Sequence, residues 1–168
     1  MMDAWVAGAA ALLTAAGLWT DVRALIIPNA LTVTFAVSGF VYHAAVSGWQ
    51  GMLAAAVGAL AGMLPLVPLH MFGGLGGGDV KWFGAFGCWA GAELALRLML
   101  YSMAVAGVFA AFLLLLRMPG LRRWGRKLPW PWGRHPALPG KGAAFPFMLA
   151  VAPGFLWLCA SLYPGSGG

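Results

Sequence analysis

Six apolar runs joined by short connectors are the feature that most constrains what this chain can fold into. Hydrophobic residues fill 62% of its 168 positions and charged residues only 8%, whereas soluble domains carry about 25% charged residues. A membrane-spanning helix needs about 20 mostly apolar residues. The sequence therefore excludes a soluble fold and predicts an all-α integral membrane protein with six transmembrane helices, in one polytopic domain over residues 1–168. The predicted spans lie at about residues 4–20, 29–46, 51–70, 80–91, 92–116 and 143–163.

The basic residues indicate how these spans are oriented. Nine of the ten lysines and arginines fall on one side of the predicted membrane domain, and only Arg97 falls on the other. Cytoplasmic loops carry such an excess, so we expect this side to be cytoplasmic and both termini to lie outside. Asp3 stands where a secretory signal has a basic region, so the first run is predicted to be a retained helix. The nine lysines and arginines on the predicted cytoplasmic side are Arg23, Lys81, Arg117, Arg122, Arg123, Arg126, Lys127, Arg134 and Lys141.

The connector over residues 117–142 is a basic loop that also contains prolines and tryptophans. We predict an interfacial cytoplasmic segment, with Trp124, Trp130 and Trp132 at headgroup level and the cations near anionic membrane lipids. Docking of a protein partner is the alternative for this loop. The net charge of +6 is thereby assigned to the membrane surface, and no nucleic-acid partner is expected.

Two acids lie on the predicted cytoplasmic side. Asp21 follows the first span and Asp79 precedes the fourth, with two complete spans between them. Two crossings return the chain to its starting side, whereas Asp3 and Glu93 fall on the outer side. A charged group at a helix centre costs about 2.5–3.5 kcal/mol on insertion scales. We therefore treat Asp21 and Asp79 as candidate functional residues.

Each of these aspartates also has a plain structural interpretation. Asp79 is a suitable N-cap for the helix that follows it, and Asp21 is placed to pair with Arg23. The fourth run is short, because twelve helical residues span about 18 Å and a hydrocarbon core is about 30 Å thick. Either Asp79 begins a helix that starts below the membrane surface, or this helix continues through Glu93.

The two aspartates considered as a pair predict hydrolytic chemistry. Two carboxyl groups that share a site cannot both ionise readily, so one holds a proton while the other stays charged. The charged group takes a proton from water and the protonated group polarises an amide carbonyl. The apparent titration then belongs to the dyad, and neither residue is assigned as the fixed base.

Glycines and a Pro-Asn pair flank the two aspartates in the sequence. Gly76 and Gly78 are expected to let the backbone approach a substrate strand closely and to adopt positive φ. A plain flexible connector is the alternative for this glycine run. Pro28 ends a connector, and Asn29 is predicted to be the N-cap of the second helix.

Histidines and cysteines show no pattern of a metal site or a disulfide framework. His43, His70 and His135 are scattered among connectors and helix ends. Cys88 and Cys159 each stand alone in an apolar stretch and are expected to be packing residues. We therefore expect neither a metal nor an organic cofactor.

Two motifs together resemble those of the type IV prepilin peptidases. Gly76-Gly77-Gly78-Asp79 reads as GxGD and is followed by Val80-Lys81. Upstream stand Asp21-Val22-Arg23 and Ile27-Pro28-Asn29-Ala30-Leu31-Thr32. The chain is most similar to the short, Tad-type form of the family, and the resemblance covers most of its length.

The resemblance implies a GxGD aspartic protease in the bacterial cytoplasmic (inner) membrane, with Asp21 and Asp79 as the catalytic pair. Its substrate would be a pilin-like precursor whose basic leader lies in the cytoplasm, and pilus or secretion assembly components would be possible partners. Residues matched to the motifs would bind substrate or support the site: Gly76, Gly78, Lys81, Pro28 and Asn29.

Two further features qualify this resemblance. Phe145-Pro146-Phe147 is loosely similar to a late motif of the family, and no catalytic role is predicted for it. Larger members carry an N-terminal module with paired CxxC motifs that is linked to methylation of the product. The sequence has no such module, so the resemblance implies cleavage alone.

Two other classes of function remain open from the sequence. A small ion- or proton-coupled transporter would carry acids near helix centres, whereas both candidate acids lie at span ends. A noncatalytic membrane scaffold of a secretion system would use Asp79 only as a helix cap.

Overall fold

The computed structural model describes residues 3–116, 118, 130–132 and 145–162, and all regular elements in these ranges are helices. The predicted all-α class is confirmed for this part of the chain. Most of the basic loop at 117–142, with Trp124, lies outside the described residues, as do the ends of the span predicted at 143–163. The elements are α1 (Ala4–Ala24), α2 (Asn29–Met63), a 3-10 turn (Leu64–Leu66), α3 (Val67–Met71), α4 (Gly77–Ala90), α5 (Ala92–Leu115) and α6 (Met148–Leu162).

α2 is divided by Gly48, which has φ 58° and ψ −139°. A positive φ of this kind is readily adopted by glycine. Gly48 separates a first arm, residues 29–47, from a second arm, residues 49–63. It lies between the apolar runs predicted at 29–46 and 51–70.

Contacts with α4 show that the two arms of α2 run in opposite directions. In the first arm, Asn29 bonds to Lys81, and Gly39 packs against Trp89 near the other end of α4. The first arm is therefore parallel to α4. In the second arm the order is reversed, because Gly58 lies beside Gly87 and Gly62, one turn later, lies beside Phe83.

Glycines allow the second arm and α4 to approach closely. A Cβ atom at Gly58 would fall on the carbonyl oxygen of Gly87, and one at Gly62 would fall on the carbonyl oxygen of Phe83. Small residues four apart are a common device for close helix packing in membranes. These contacts also establish the antiparallel direction of the second arm.

α1 and α6 pack on other sides of α4. Trp82 Nε1 of α4 donates to Leu13 O in the middle of α1 over 3.2 Å, and both ring systems of the Trp82–Phe86 pair are fully buried. Phe86 meets Phe155 of α6 edge to face. The core of the fold is thus the aromatic face of α4.

α6 packs along α5. Ser102 lies against Gly154, and Phe109, further along α5, meets Phe145, which precedes α6. The two helices are therefore antiparallel. When the short α3 and the 3-10 turn are left out, α1, the two arms of α2, α4, α5 and α6 alternate in direction along the described chain.

Three helices in the described residues are long and apolar enough to cross a membrane. They cover Ala4–Ala24, Asn29–Met71, which includes both arms of α2, and Ala92–Leu115. Together with the absence of strands from the described ranges, these helices are those of a membrane protein.

Two helices extend beyond the predicted spans at the positions that matter for the site. The first span was predicted to end at residue 20, but α1 continues to Ala24 and includes Asp21. The fourth was predicted to begin at residue 80, but α4 begins at Gly77 and includes Asp79. α4 ends at Ala90, because Gly91 has φ 84°, so the alternative of one helix continuing through Glu93 is wrong.

Candidate active site

Asp21 lies in the last turn of α1 and is only 6% exposed. Its Oδ2 accepts a hydrogen bond of 2.9 Å from the backbone N–H of Met148, the first residue of α6. The first backbone N–H groups of a helix have no partner within it, and here one of them is satisfied by Asp21. The carboxylate is thus held between the end of one helix and the start of another.

Asp21 does not form the ion pair with Arg23 that the sequence left open. The Arg23 guanidinium lies 3.8 Å from the centre of the Trp19 ring instead. Within the described part of the chain, the salt bridge formed is that between Arg97 and Glu93. Asp21 therefore has no basic partner there to explain its position.

Asp79 is the third residue of α4 and is 8% exposed. Gly76 takes the N-cap position, and no side chain caps this helix. The interpretation of Asp79 as an N-cap is therefore wrong. Its backbone N–H donates to Gly76 O over 3.1 Å, while its Oδ1 is buried and has no hydrogen-bond partner among the described residues. A buried oxygen of this kind calls for an explanation.

The structure brings Asp21 and Asp79 together, because both line the same two clefts. We call the first the loop cleft; it has a volume of about 210 Å³. The second, the aromatic cleft, has a volume of about 200 Å³. Besides the aspartates, the loop cleft is lined by Leu25, Ile26, Ile27, Asn29, Gly76, Gly77 and Gly78. The aromatic cleft is lined by Leu25, Gly74, Leu75, Gly76, Phe145 and Phe147.

Gly76 and Gly78 are required for close approach rather than for positive φ. Gly76 has φ −71°, and the glycine of this run with positive φ is Gly73, so that part of the prediction is wrong. A Cβ atom at position 76 would lie 2.9 Å from Asp79 Oδ2, and one at position 78 would lie 3.2 Å from the Ile27 Cβ atom. Gly76 therefore keeps space for the Asp79 carboxylate, and Gly78 lets the start of α4 pack against Ile27.

Pro28 ends the connector before α2, whereas Asn29 lies one residue past the N-cap position predicted for it. Pro28 is at the N-cap of α2 and Asn29 is its first helical residue, with no side-chain cap. The Asn29 amide instead binds the α4 helix, since Lys81 Nζ donates to Asn29 Oδ1 over 2.9 Å. Lys81 thus has a defined partner, which the sequence did not predict.

Several residues at the site were missed by reasoning from the sequence. Leu25 lines both clefts and has φ 54°, a left-handed conformation that costs an L-residue about 1–2 kcal/mol. Phe145 and Phe147 line the aromatic cleft. The only signal for these phenylalanines was their loose similarity to a family motif, and nothing in the sequence indicated Leu25 or the Met148 N–H.

The histidines and cysteines among the described residues line neither cleft. His43 bonds to the Trp89 carbonyl and His70 to the Leu75 carbonyl. No group of three His, Cys, Asp or Glu residues that would suit a metal ion occurs in the ranges that the structure describes. The ionisable side chains that line the two clefts in the described part of the chain are the buried carboxyl groups of Asp21 and Asp79.

Fold and site together define a helical membrane protein with paired acids at one end of its helices. A comparison with protein-family models matches the type IV leader peptidase family over residues 7–114. The match covers well over half of the chain, so the protein belongs to the type IV leader peptidase family. Neither curated proteins nor solved structures gave a match.

The matched region includes both aspartates, Asn29 and Lys81, and ends before Phe145. The resemblance noted from the two motifs is thereby confirmed at the level of the family. Family membership implies a peptidase that acts on leader peptides of pilin-like precursors.

Proposed function

We propose that the protein is an intramembrane aspartic endopeptidase that removes the basic leader from pilin-like precursors at the cytoplasmic membrane face. The observation that carries this proposal is the placement of Asp21 and Asp79, both buried and lining the same two clefts. The Asp79 Oδ1 atom supports it further, because it has no hydrogen-bond partner among the described residues and a catalytic carboxyl needs a free oxygen to meet water or substrate.

The chemistry needs only the two carboxyl groups and one water molecule. The charged carboxylate removes a proton from water, and the oxygen of that water bonds to the carbon of the scissile amide. The protonated carboxyl donates its proton to the amide oxygen. When the intermediate collapses, the C–N bond breaks and the carboxyl group that took a proton from water gives it to the departing amine. The other carboxylate recovers its proton from a hydroxyl of the intermediate, which restores the pair.

The alternating helices support a topology with six membrane crossings and both termini outside. α1 ends, and α4 and α6 begin, at the end of the bundle that holds the aspartates. Arg23 and Lys81 lie at this end, and Trp132 of the basic loop donates to Val22 O there. By the positive-inside rule this end faces the cytoplasm, where a basic leader would emerge. From the family resemblance we infer that this membrane is the cytoplasmic (inner) membrane of a bacterium.

The two clefts suggest how an extended precursor chain passes the aspartates. Both contain Asp21, Asp79, Leu25 and Gly76, so they meet at the acids. A chain that lies across this meeting point has its scissile bond between the carboxyl groups. The residues on either side of that bond then enter one cleft each.

The rival functions are less well supported by the site. A transporter would place its acids near helix centres, but Asp21 is three residues from the end of α1 and Asp79 is the third residue of α4. A scaffold that uses Asp79 as a cap is disfavoured, since Gly76 holds the cap position.

Cleavage of a precursor by the purified protein tests this function. The protein in detergent is mixed with a pilin-like precursor, and loss of the leader is followed by gel shift. Asp21→Asn and Asp79→Asn should each abolish cleavage, because an amide cannot exchange the protons that the mechanism moves. Asp3→Asn, the same change at an exposed residue beyond the far end of α1, should cleave at the wild-type rate.

Two results would contradict the proposal. Cleavage by either site variant at the wild-type rate would exclude the dyad. Failure of the wild-type protein on every pilin-like precursor offered would remove the support for the substrate.

A further inference from the structure

Asn29 and Lys81 are joined across the fold although 52 positions separate them in the chain. A lysine ammonium has three donors and no acceptor, so the Asn29 atom that it contacts must be the amide oxygen. This contact therefore identifies which atom of the Asn29 amide is the oxygen and which is the nitrogen. The NH₂ group of Asn29 remains, and it has no hydrogen-bond partner within the described ranges.

Asn29 lines the loop cleft together with both aspartates. The other side chains of that lining are apolar, at Leu25, Ile26 and Ile27, and the remaining positions are glycines. Asn29 is thus the lining side chain that donates a hydrogen bond whatever the protonation of the acids. An extended peptide in this cleft brings backbone carbonyls, each of which needs a donor once water is displaced.

The backbone of Asn29 is held in place by the start of α2. Pro28, directly before it, has φ −62°, and its carbonyl accepts bonds from the backbone N–H groups of Leu31 and Thr32. The Asn29 backbone is therefore part of the first turn of α2, while its amide is tied to α4 through Lys81. The contact with Lys81 is exposed, so it favours one orientation of the amide on a fixed backbone, and an amide that is already oriented loses less freedom when a ligand binds.

We propose that Asn29 binds substrate, with its NH₂ group donating to a backbone carbonyl of the precursor beside the scissile bond, and that Lys81 is a positioning residue that orients this amide. Lys81 lines neither cleft, so it acts through Asn29. This inference rests on the proposed function. It assigns Asn29, which follows Pro28, and Lys81 of the GGGDVK motif a joint role in binding the substrate.

Asn29→Asp separates this role from a merely structural one. Aspartate has the shape of asparagine and still accepts a bond from Lys81, at least as strongly because the pair is charged, but it offers no NH₂ donor. We expect KM to rise about tenfold while kcat changes little, since the lost bond is to a flanking carbonyl. Gln50→Glu, the same amide-to-acid change at an exposed residue of α2, should leave KM unchanged.

Lys81 variants test the orienting contact. Lys81→Met removes the ammonium but keeps most of the side chain, and we expect a KM increase of about threefold because the Asn29 amide then rotates. Lys81→Arg supplies a donor again and should restore most of the loss. A wild-type KM for Asn29→Asp would overturn the inference, because it would mean that the amide serves only to hold Lys81.

A binding measurement separates failure of this inference from failure of the proposed function. A fluorescent precursor peptide is titrated against the Asp79→Asn protein in detergent, with and without Asn29→Asp. We expect the Kd to rise about tenfold with Asn29→Asp. An unchanged Kd, or no measurable peptide binding by the Asp79→Asn protein, would refute the role of Asn29. The expected rise in Kd without cleavage by the wild-type protein would instead refute the peptidase function alone.

Discussion

Gly76→Ala should slow cleavage without unfolding the protein. Gly76 has φ −71° and ψ 143°, a conformation that alanine adopts freely, so the backbone is not strained. The added Cβ atom would lie 2.9 Å from Asp79 Oδ2, about 0.5 Å inside the ordinary contact limit of 3.4 Å. The Asp79 carboxylate must therefore shift by about that distance.

The magnitude follows from how sharply catalysis depends on position. A misplacement of 1 Å can cost a factor of about 10² in rate, so a shift of half that size should lower kcat roughly tenfold, or about 1.4 kcal/mol in the barrier. KM should change little, since the substrate walls of the clefts remain. Steady-state kinetics on a precursor peptide measure both constants. Gly107→Ala is the control, because a Cβ there has nothing within 4 Å.

A wild-type kcat for Gly76→Ala would refute the reasoning, because it would mean that the Asp79 carboxylate is not positioned as described or takes no part in the chemistry. A rise in KM with an unchanged kcat would show instead that Gly76 matters through contact with the substrate.

Gly58→Val should destabilise the fold by at least the roughly 1–3 kcal/mol typical of overpacking, because its Cβ would fall on the Gly87 carbonyl. Thermal unfolding in detergent should show a lower Tm for this variant, whereas the control Gly107→Val should keep the wild-type Tm. Leu25→Gly should relieve the backbone strain of a left-handed residue, so the Tm should be equal or higher. It should also reduce kcat/KM severalfold, because part of the wall of both clefts is lost. A lower Tm would contradict this reasoning. Addition of EDTA should leave cleavage unchanged, since the mechanism uses carboxyl groups and water alone, and inhibition reversed by added metal would refute it.

The arrangement of the helices was largely predictable because membrane spans leave a strong signal in hydropathy. Each predicted run contains a helix in the described part of the chain, although the run at 51–70 is interrupted after Met63 by a 3-10 turn. The two arms of α2 between Asp21 and Asp79 return the chain to the end where both acids line the clefts. The boundaries were less predictable. α1 and α4 extend past the apolar runs to include the aspartates, since a helix can take in a polar residue that neighbouring helices bury.

The cap predictions failed for a definite reason. Asn29 and Asp79 are residue types favoured at N-caps, but Pro28 and Gly76 occupy those positions. The polar side chains were thereby left for other partners. Residues of cap-favouring type do stand at the starts of both helices, but not at the cap positions. The local sequence alone could not show which contacts their side chains would make instead.

Contacts between distant parts of the chain were beyond reach of the sequence. The bond from Met148 to Asp21 spans 127 positions and that from Lys81 to Asn29 spans 52. Neither follows from periodicity or composition, because helix packing sets which faces meet. The same limit applies to Phe145 and Phe147, which join the site only when α6 packs beside α1 and α4.

The pairing of Asp21 with Asp79 is tested most directly by a double-substitution cycle. Cleavage of one precursor is measured for Asp21→Asn, Asp79→Asn and the double variant, over a range wide enough to quantify residual rates. Residues that act as one catalytic unit are strongly non-additive, so the double variant should be no slower than the slower single variant. Losses that multiply in the double variant would show that the two aspartates act independently, and would contradict the dyad.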